Sequence, residues 1–388
     1  MTTQPEFPER YVNRREARRV YGPLADRFAR AYWELDPLAD AAVEELSEHG
    51  RAGHERLERA LRDGVAAVDG AGPRLRAVFD EVERVPSWID WDRVEHGART
   101  YQRIGPSAMM ILSAWSLMNG YHSAPAVKPL VFTKRLDVMA PRRLAETSRF
   151  VTEVAQTGGL RRGALGYTIT VRVRLVHAMV RRALRRSPEW RRDAWGEPIN
   201  QADMVGTVIE FSLLVLEGAR KMGFRFSERE SSAVIHLWQY VGYLSGVDPW
   251  LLGELSPEPR GVEFAKLLHL VQPGPDADSL ALADALRRVP LQMADDPLRR
   301  ALAPWVARYH DGLARAFNGP KIADDLRVPD DAWKYAIWPT QLVIGAVERV
   351  RERVPGATAL AARVGNHLVR ASVDHMLRGV EPQFRPGG

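Results

Sequence analysis

The stretch that decides the fold runs from Tyr167 to Arg186 and reads YTITVRVRLVHAMVRRALRR. Its first part, Tyr167–Leu175, alternates apolar and polar residues as a β-strand does, and such alternation occurs nowhere else in the chain. Its second part repeats apolar residues at helical spacing, so the alternation runs directly into a helical pattern. We therefore interpret 168–186 as a helix, which makes the chain all-α.

Helical periodicity dominates the rest of the sequence, with proline and glycine between the periodic segments. The chain has 388 residues, 45% of them hydrophobic and 27% charged, which is ordinary for a globular protein. We expect an N-terminal arm (1–22) followed by a single large all-α domain (23–384). The expected helices are 23–34, 37–49, 51–69, 73–84, 91–118, 141–157, 168–186, 201–222, 227–245, 278–293, 296–316, 331–351 and 357–378.

Three of these helices begin after a residue that can cap the helix N-terminus. Asn200, Ser227 and Asp36 each precede a helical segment, and their side chains can accept hydrogen bonds from amides of the first turn. Pro37 follows Asp36 directly, in the first helical position, where proline is favoured. The sequence therefore predicts helix N-termini at these three places.

Several classes of site are excluded by residues and motifs that the sequence lacks. The chain contains no cysteine, which excludes disulfides, thiolate zinc sites and iron–sulfur clusters. It has no dinucleotide-binding GxGxxG, no P-loop, no GxSxG and no HExxH. No histidine follows a glutamate at three residues, which excludes the di-iron motif of helical bundles. Two possibilities remain: a haem whose iron is ligated by a single histidine, or a protein without a metal site.

The charge pattern bears on partners and location. The net charge is +6, with 49 arginines against 6 lysines, and the arginines cluster within 181–192. Nucleic-acid binding would explain this cluster, but no nucleic-acid module accompanies it, so we favour a solvated helix end.

The runs Ala108–Met118 and Met204–Leu216 are too short to span a bilayer. Without an apolar leader at the N-terminus, we expect a cytoplasmic protein with no transmembrane segment.

One constellation of residues lies in the helix 168–186. Arg174, His177 and Arg181 stand at −3, 0 and +4, so they share one face. From spacing alone, the simpler interpretation is a surface stripe with an ordinary histidine. Haem ligation is the alternative: a helical histidine can donate its Nδ1–H to the carbonyl four residues back, here Val173, leaving Nε2 for iron. Arginines beside it can pair with haem propionates.

These segments resemble the MpaB-type oxygenases, the family of the latex clearing proteins or rubber oxygenases. The resemblance rests on R-x3-T at Arg143 and Thr147 and on R-x2-H-x3-R at 174–181. It also rests on three longer segments that agree in order and spacing over about residues 80–255. They are VPSWIDWDRVEHGART (85–100), PINQADMVGTVIEFSLLVLEGARKMG (198–223) and HLWQYVGYLSGV (236–247).

The resemblance implies a globin-like core with peripheral helices around a b-type haem. It also implies O2-dependent cleavage of a carbon–carbon double bond in an isoprenoid or other apolar substrate. The alternative function is a haem-binding sensor without turnover. The site residues that we assign are His177 as metal ligand, Arg174 and Arg181 with it in cofactor binding, and Arg143, Glu146 and Thr147 in catalysis.

The sequence departs from the rubber-cleaving members at two places. Glu146 stands where they have a distal lysine, and their distal acid has no counterpart in Tyr121–Leu130. Glu146 is either a distal acid or base or a surface partner of Arg142, Arg143 or Arg149.

Four further residues carry expectations of their own. We interpret His122 as a surface loop residue and His236 as a core residue with a hydrogen-bond partner. Glu210 and Glu217 stand on an otherwise apolar helix and are expected to pair with Arg174 or Arg181, since buried charges need partners.

Overall fold

The computed structural model describes residues 6–132 and 136–377. All regular secondary structure in the described residues is helical, and these residues contain no β-strand, which confirms the all-α prediction. Two 3₁₀ turns, Val65–Ala67 and Ala332–Ala336, and one π-helix, Leu112–Leu117, interrupt the α-helices. The α-helices are α1 (Arg14–Tyr21), α2 (Pro23–Arg30), α3 (Pro37–Glu48), α4 (Gly50–Asp63), α5 (Pro73–Glu83), α6 (Trp91–Ile104), α7 (Pro106–Ile111), α8 (Met118–Tyr121), α9 (Ala124–Val131), α10 (Leu136–Val154), α11 (Leu165–Arg186), α12 (Arg192–Trp195), α13 (Gln201–Phe211), α14 (Leu213–Lys221), α15 (Glu228–Leu244), α16 (Pro249–Gly253), α17 (Glu258–Leu270), α18 (Ala277–Gln292), α19 (Pro297–Asp325), α20 (Ile337–Arg353) and α21 (Ala357–Leu377).

The decisive stretch forms helix α11, as predicted. Val171, Leu175 and Ala178 lie on one side of α11 and are buried, so tertiary packing uses the helical period and not the strand-like alternation. The strand propensity of the β-branched residues at its start is therefore overridden by the buried helical face.

The three predicted helix starts are confirmed. Asp36 accepts a hydrogen bond from the amide of Ala39, and Asn200 accepts one from the amide of Asp203. Ser227 forms a capping box, in which its side chain and that of the glutamate three residues later each accept a backbone N–H.

The predicted helix 51–69 is broken at Gly64, whose φ of 86° lies in the left-handed region, and only a short 3₁₀ turn follows. Two further predicted helices are broken in the structure. The segment 91–118 bends at Gly105, whose φ of 59° lies in the left-handed region, and a new helix begins at Pro106. The segment 201–222 is divided at Ser212, whose backbone leaves the helical region (φ −109°, ψ −80°). Apolar periodicity continues across both breaks, which is why it did not reveal them.

The N-terminal segment packs against the helical body. Arg10 is buried, and its guanidinium contacts both carboxylate oxygens of Asp203 at 2.9 and 2.7 Å. The hydroxyl of buried Tyr11 donates to the carbonyl of Ala25 at 2.8 Å. The described part of the predicted arm therefore contributes to the core and forms helix α1.

Helix α15 runs through the middle of the core. Twelve of its seventeen residues are buried, including Trp238, whose ring stacks on Phe211 of α13 with centroids 4.8 Å apart. Within the described residues, no helix is both long enough and apolar enough to cross a bilayer.

Candidate functional site

His177 lies in the middle of α11. Its Nδ1 is buried and has no hydrogen-bond partner among the described residues, although the side chain as a whole is partly exposed. The hydrogen bond from Nδ1 to the Val173 carbonyl that the haem interpretation uses is not formed. Burial, and secondarily the charge of Arg181, lowers the pKa of His177 to about 4. The imidazole is therefore neutral at physiological pH, which is the form that ligates metals.

The surface of α11 around His177 is apolar and only partly covered by the protein. Val173, Val176 and Val180 lie on the same side as the histidine, and each is partly exposed. Apolar side chains left uncovered beside a neutral histidine match a large, flat, apolar cofactor with one open coordination position. The donor set and its surroundings therefore fit a haem.

Arg174 and Arg181 are buried and face carboxylates of two neighbouring helices. Arg174 donates to both carboxylate oxygens of Asp36, at 2.6 and 2.9 Å, and its third nitrogen lies 2.6 Å from Glu81. Arg181 donates to Asp40 at 2.7 Å. Burial alone would lower the pKa of Arg174, but the hydrogen bonds and charge of Asp36 raise it above its usual value. These ion pairs join α11 to α3 and α5. His177 lies between the two arginines along α11.

The expected pairing of these arginines with Glu210 or Glu217 is wrong. Their partners come from helices that lie far away in the sequence, and spacing within one helix carries no information about such contacts. Glu217 is instead a surface residue 3.3 Å from Lys221, while Glu210 lines a cavity. Direct binding of a cofactor by Arg174 and Arg181 stays a prediction.

The residues of the R-x3-T motif lie on α10. Arg143 donates to the carbonyl of Leu130 at 3.2 Å, and Thr147 lines the cavity. Glu146 accepts a hydrogen bond from Nε of Arg142 at 3.1 Å, in an ion pair whose arginine is half exposed. The catalytic assignments of Arg143, Glu146 and Thr147 stay predictions, and of the three only Thr147 faces the cavity.

The cavity is small, enclosed and mostly apolar. It leaves about 20 Å³ for the centre of a water-sized molecule, which is room for about one water. One wall is the π-helix, a type of local irregularity that is frequent at functional sites. The lining residues are Met109 from α7, Leu112, Ser116 and Leu117 from the π-helix, Leu144, Thr147, Ser148 and Val151 from α10, and Glu210 and Phe211 from α13.

Glu210 is the acidic residue of this cavity, and sequence reasoning missed its position. Burial, and secondarily the charge of Asp203, raises its pKa to about 8, so the carboxyl group is protonated at neutral pH. Burial also raises the pKa of the neighbouring Tyr121 to about 12. The available signal was an acid inside the apolar run Met204–Leu216, which marks either a buried ion pair or a functional site.

Gly120 determines where the Glu210 carboxyl lies. A Cβ atom built on Gly120 would stand 2.5 Å from Oε1 of Glu210, closer than such contacts occur. We expect Gly120→Ala to destabilise the protein by about 0.5–1.5 kcal/mol, because the flexible end of the Glu210 side chain must move to a less favourable rotamer to admit the added methyl group. The measurement is the free energy of unfolding in urea.

Gly253→Ala serves as the matched control for this prediction. Its Cβ would meet no atom within 4 Å, so this helical substitution should be neutral or slightly stabilising. Equal stability of the two variants would contradict the close contact between Gly120 and Glu210.

Of the predictions for His236 and His122, the first is confirmed and the second is wrong. His236 is buried and its Nε2 accepts the amide of Asp90 at 3.1 Å, as predicted. The prediction for His122 is wrong, since this residue is buried and its Nε2 lies 2.8 Å from Asp325. Asp325 belongs to the end of α19, about two hundred positions away, so no local pattern could reveal the contact.

Comparison with known proteins gives one family and one fold. A family model described as "ER-bound oxygenase mpaB/B'/Rubber oxygenase, catalytic domain" matches residues 101–348. The rubber oxygenase of Streptomyces sp. (strain K30) is 26% identical over 219 residues, which are 55% of this chain and 52% of that protein. The chain thus spans about half the length of this curated relative. The structure of the latex clearing protein LCP in the closed state aligns with a TM-score of 0.58 and 20% identity over 90% of each chain, which shows a shared fold.

Proposed function

The chain belongs to the family of the mpaB and rubber oxygenase catalytic domains, and we propose from this membership that it is a haem b-dependent oxygenase. In this proposal, O2 is used to cleave or oxidise a carbon–carbon double bond of an isoprenoid or another apolar, lipid-like molecule. Rubber, which the name of the relative gives as its substrate, is an apolar hydrocarbon that contains such double bonds.

The observation that carries the proposal is the neutral charge of the His177 imidazole together with the apolar surface around it. A neutral imidazole on an apolar surface that the protein leaves partly uncovered would hold the haem iron through its Nε2. When bound, the haem supplies the oxidative chemistry, with O2 as the oxidant. Arg174 and Arg181 act as positioning residues, because their buried ion pairs keep α11 in place against α3 and α5.

Glu210 is the residue to which we assign proton transfer in the cavity. Its carboxyl group is protonated at neutral pH and shares the cavity wall with Thr147. It lies against Gly120, next to the segment Tyr121–Leu130 in which the resemblance expects an acid and the sequence has none. An acid from α13 would therefore replace one that the family takes from another segment. Glu146 stays the sequence-based alternative.

The experiment that tests the proposal is the visible spectrum of the purified protein and of His177→Ala. We expect about one b-type haem per wild-type chain and loss of the Soret band in the variant, because no other residue is assigned to the iron. Far-UV circular dichroism should remain helical in both. Imidazole added to the variant should restore part of the Soret band by filling the vacated coordination position.

His367→Ala is the matched control, since His367 is an exposed helical histidine and its loss should leave the spectrum unchanged. A full Soret band in His177→Ala would contradict the assignment. A wild-type protein that binds haem but consumes no O2 with any isoprenoid offered would support the sensor in place of the oxygenase.

A further inference from the structure

Helix α20 turns its apolar side chains outward. Glu348 is its only buried residue, and every residue of this helix is described. Leu342 is 72% exposed and Val343 is 65% exposed, although both are aliphatic. Helices of globular proteins normally bury such a face. The exposed apolar residues of α20 are Trp338, Leu342, Val343, Val347 and Val350.

Two neighbouring helices add apolar stripes of the same kind. On α19 the exposed stripe is Leu298, Leu302, Trp305 and Val306, and on α21 it is Leu360, Val364 and Leu368. Both sets follow helical spacing, so each occupies one side of its helix. Isolated exposed apolar residues are common, but sets at helical spacing on three neighbouring helices mark a binding surface.

Polar contacts connect the three helices. The hydroxyl groups of Tyr309 on α19 and Thr340 on α20 are 2.9 Å apart, and Arg351 at the end of α20 donates to Thr358 at the start of α21 at 2.9 Å. Near the end of α21, Nε2 of His375 lies 3.5 Å from Asp295, just before α19 begins. The three stripes therefore lie on helices that contact one another, and we call them together the C-terminal apolar face.

Exposed arginines border this face. Arg349 and Arg353 on α20 and Arg363 on α21 are exposed, and among the described residues none of the three has a carboxylate within ion-pair distance. The carboxylate of Glu348, which also belongs to α20, is buried.

We propose that the C-terminal apolar face docks on an anionic lipid membrane. Its apolar side chains would enter the interface, with Trp305 and Trp338 at the level of the headgroups, and its arginines would lie against lipid phosphates. A second copy of the chain is a poorer occupant, because a two-fold contact through this face would bring these three arginines close to the same three arginines of the other copy. The inference does not rest on the proposed function, because vesicle binding is measured without turnover.

Flotation with lipid vesicles tests the proposal. We expect the full chain to float with vesicles that contain phosphatidylglycerol and to stay behind with phosphatidylcholine alone. The double variant Leu342→Glu/Val347→Glu should bind at least about tenfold more weakly, since it replaces two inserted side chains with charges. Both positions are exposed, so the fold should tolerate the change. A matched control, Val20→Glu/Leu165→Glu, makes the same charge change at other exposed apolar positions and should bind nearly as the wild type does.

A second set of variants tests the charge. Arg349→Gln, Arg353→Gln and Arg363→Gln should each weaken binding to the anionic vesicles by about fivefold, and high salt should do the same. Absence of flotation with anionic vesicles would overturn the proposal, and so would an equal loss in the control double variant. A wild-type dimer that becomes a monomer on Leu342→Glu/Val347→Glu would also overturn it, because the face would then join two copies.

Discussion

Arg174→Ala should lower the free energy of unfolding by about 3–5 kcal/mol, because it leaves a buried carboxylate without its main partner. Asp36 is 5% exposed and receives two hydrogen bonds from Arg174, while the nearest nitrogen of Arg181 stands 3.9 Å away. The ion pair also joins α11 to the first turn of α3. Urea unfolding followed by circular dichroism gives the measurement.

Arg172→Ala provides the control on the same helix. Arg172 pairs with Glu58, but both side chains are partly exposed, so its loss should cost about 1 kcal/mol or less. If Arg174→Ala were no more destabilising than Arg172→Ala, the buried ion pair would not be what holds α11 in place.

Glu210→Gln should change how stability depends on pH. The carboxyl of Glu210 ionises at about pH 8 in the folded protein and near its ordinary pKa of 4.5 in the unfolded chain. Between these values the unfolded state releases the proton while the folded state keeps it, so the wild type loses stability as pH rises. Glutamine does not ionise, so the stability of the variant relative to the wild type should rise by up to about 5 kcal/mol from the lower to the upper of these pH values.

The measurement is urea unfolding of both proteins at several pH values between the two pKa values. Glu217→Gln is the control, because Glu217 lies on the adjoining helix α14 in an exposed pair with Lys221. Parallel stability profiles for the wild type and Glu210→Gln would show that the carboxyl is not buried as described, and would remove it as the proton-holding group of the cavity.

Local signals in the sequence were enough for most of the secondary structure. Asp36, Asn200 and Ser227 cap helices as predicted, because a cap involves only the next three residues. The breaks at Gly105 and Ser212 were missed, since the apolar period that marks a buried face continues through them.

The sequence by itself determined the helical class, the helix starts and the presence of Arg174, His177 and Arg181 on one side of α11. All of these depend on residues within one or two turns of each other, where helical geometry sets the distances. Only the tertiary structure decided that Asp36, Asp40 and Glu81 face the two arginines, and that Glu210 reaches the cavity beside Thr147. These contacts join helices that are remote in the chain, and the same burial that brings the helices together also shifts the pKa values of His177 and Glu210.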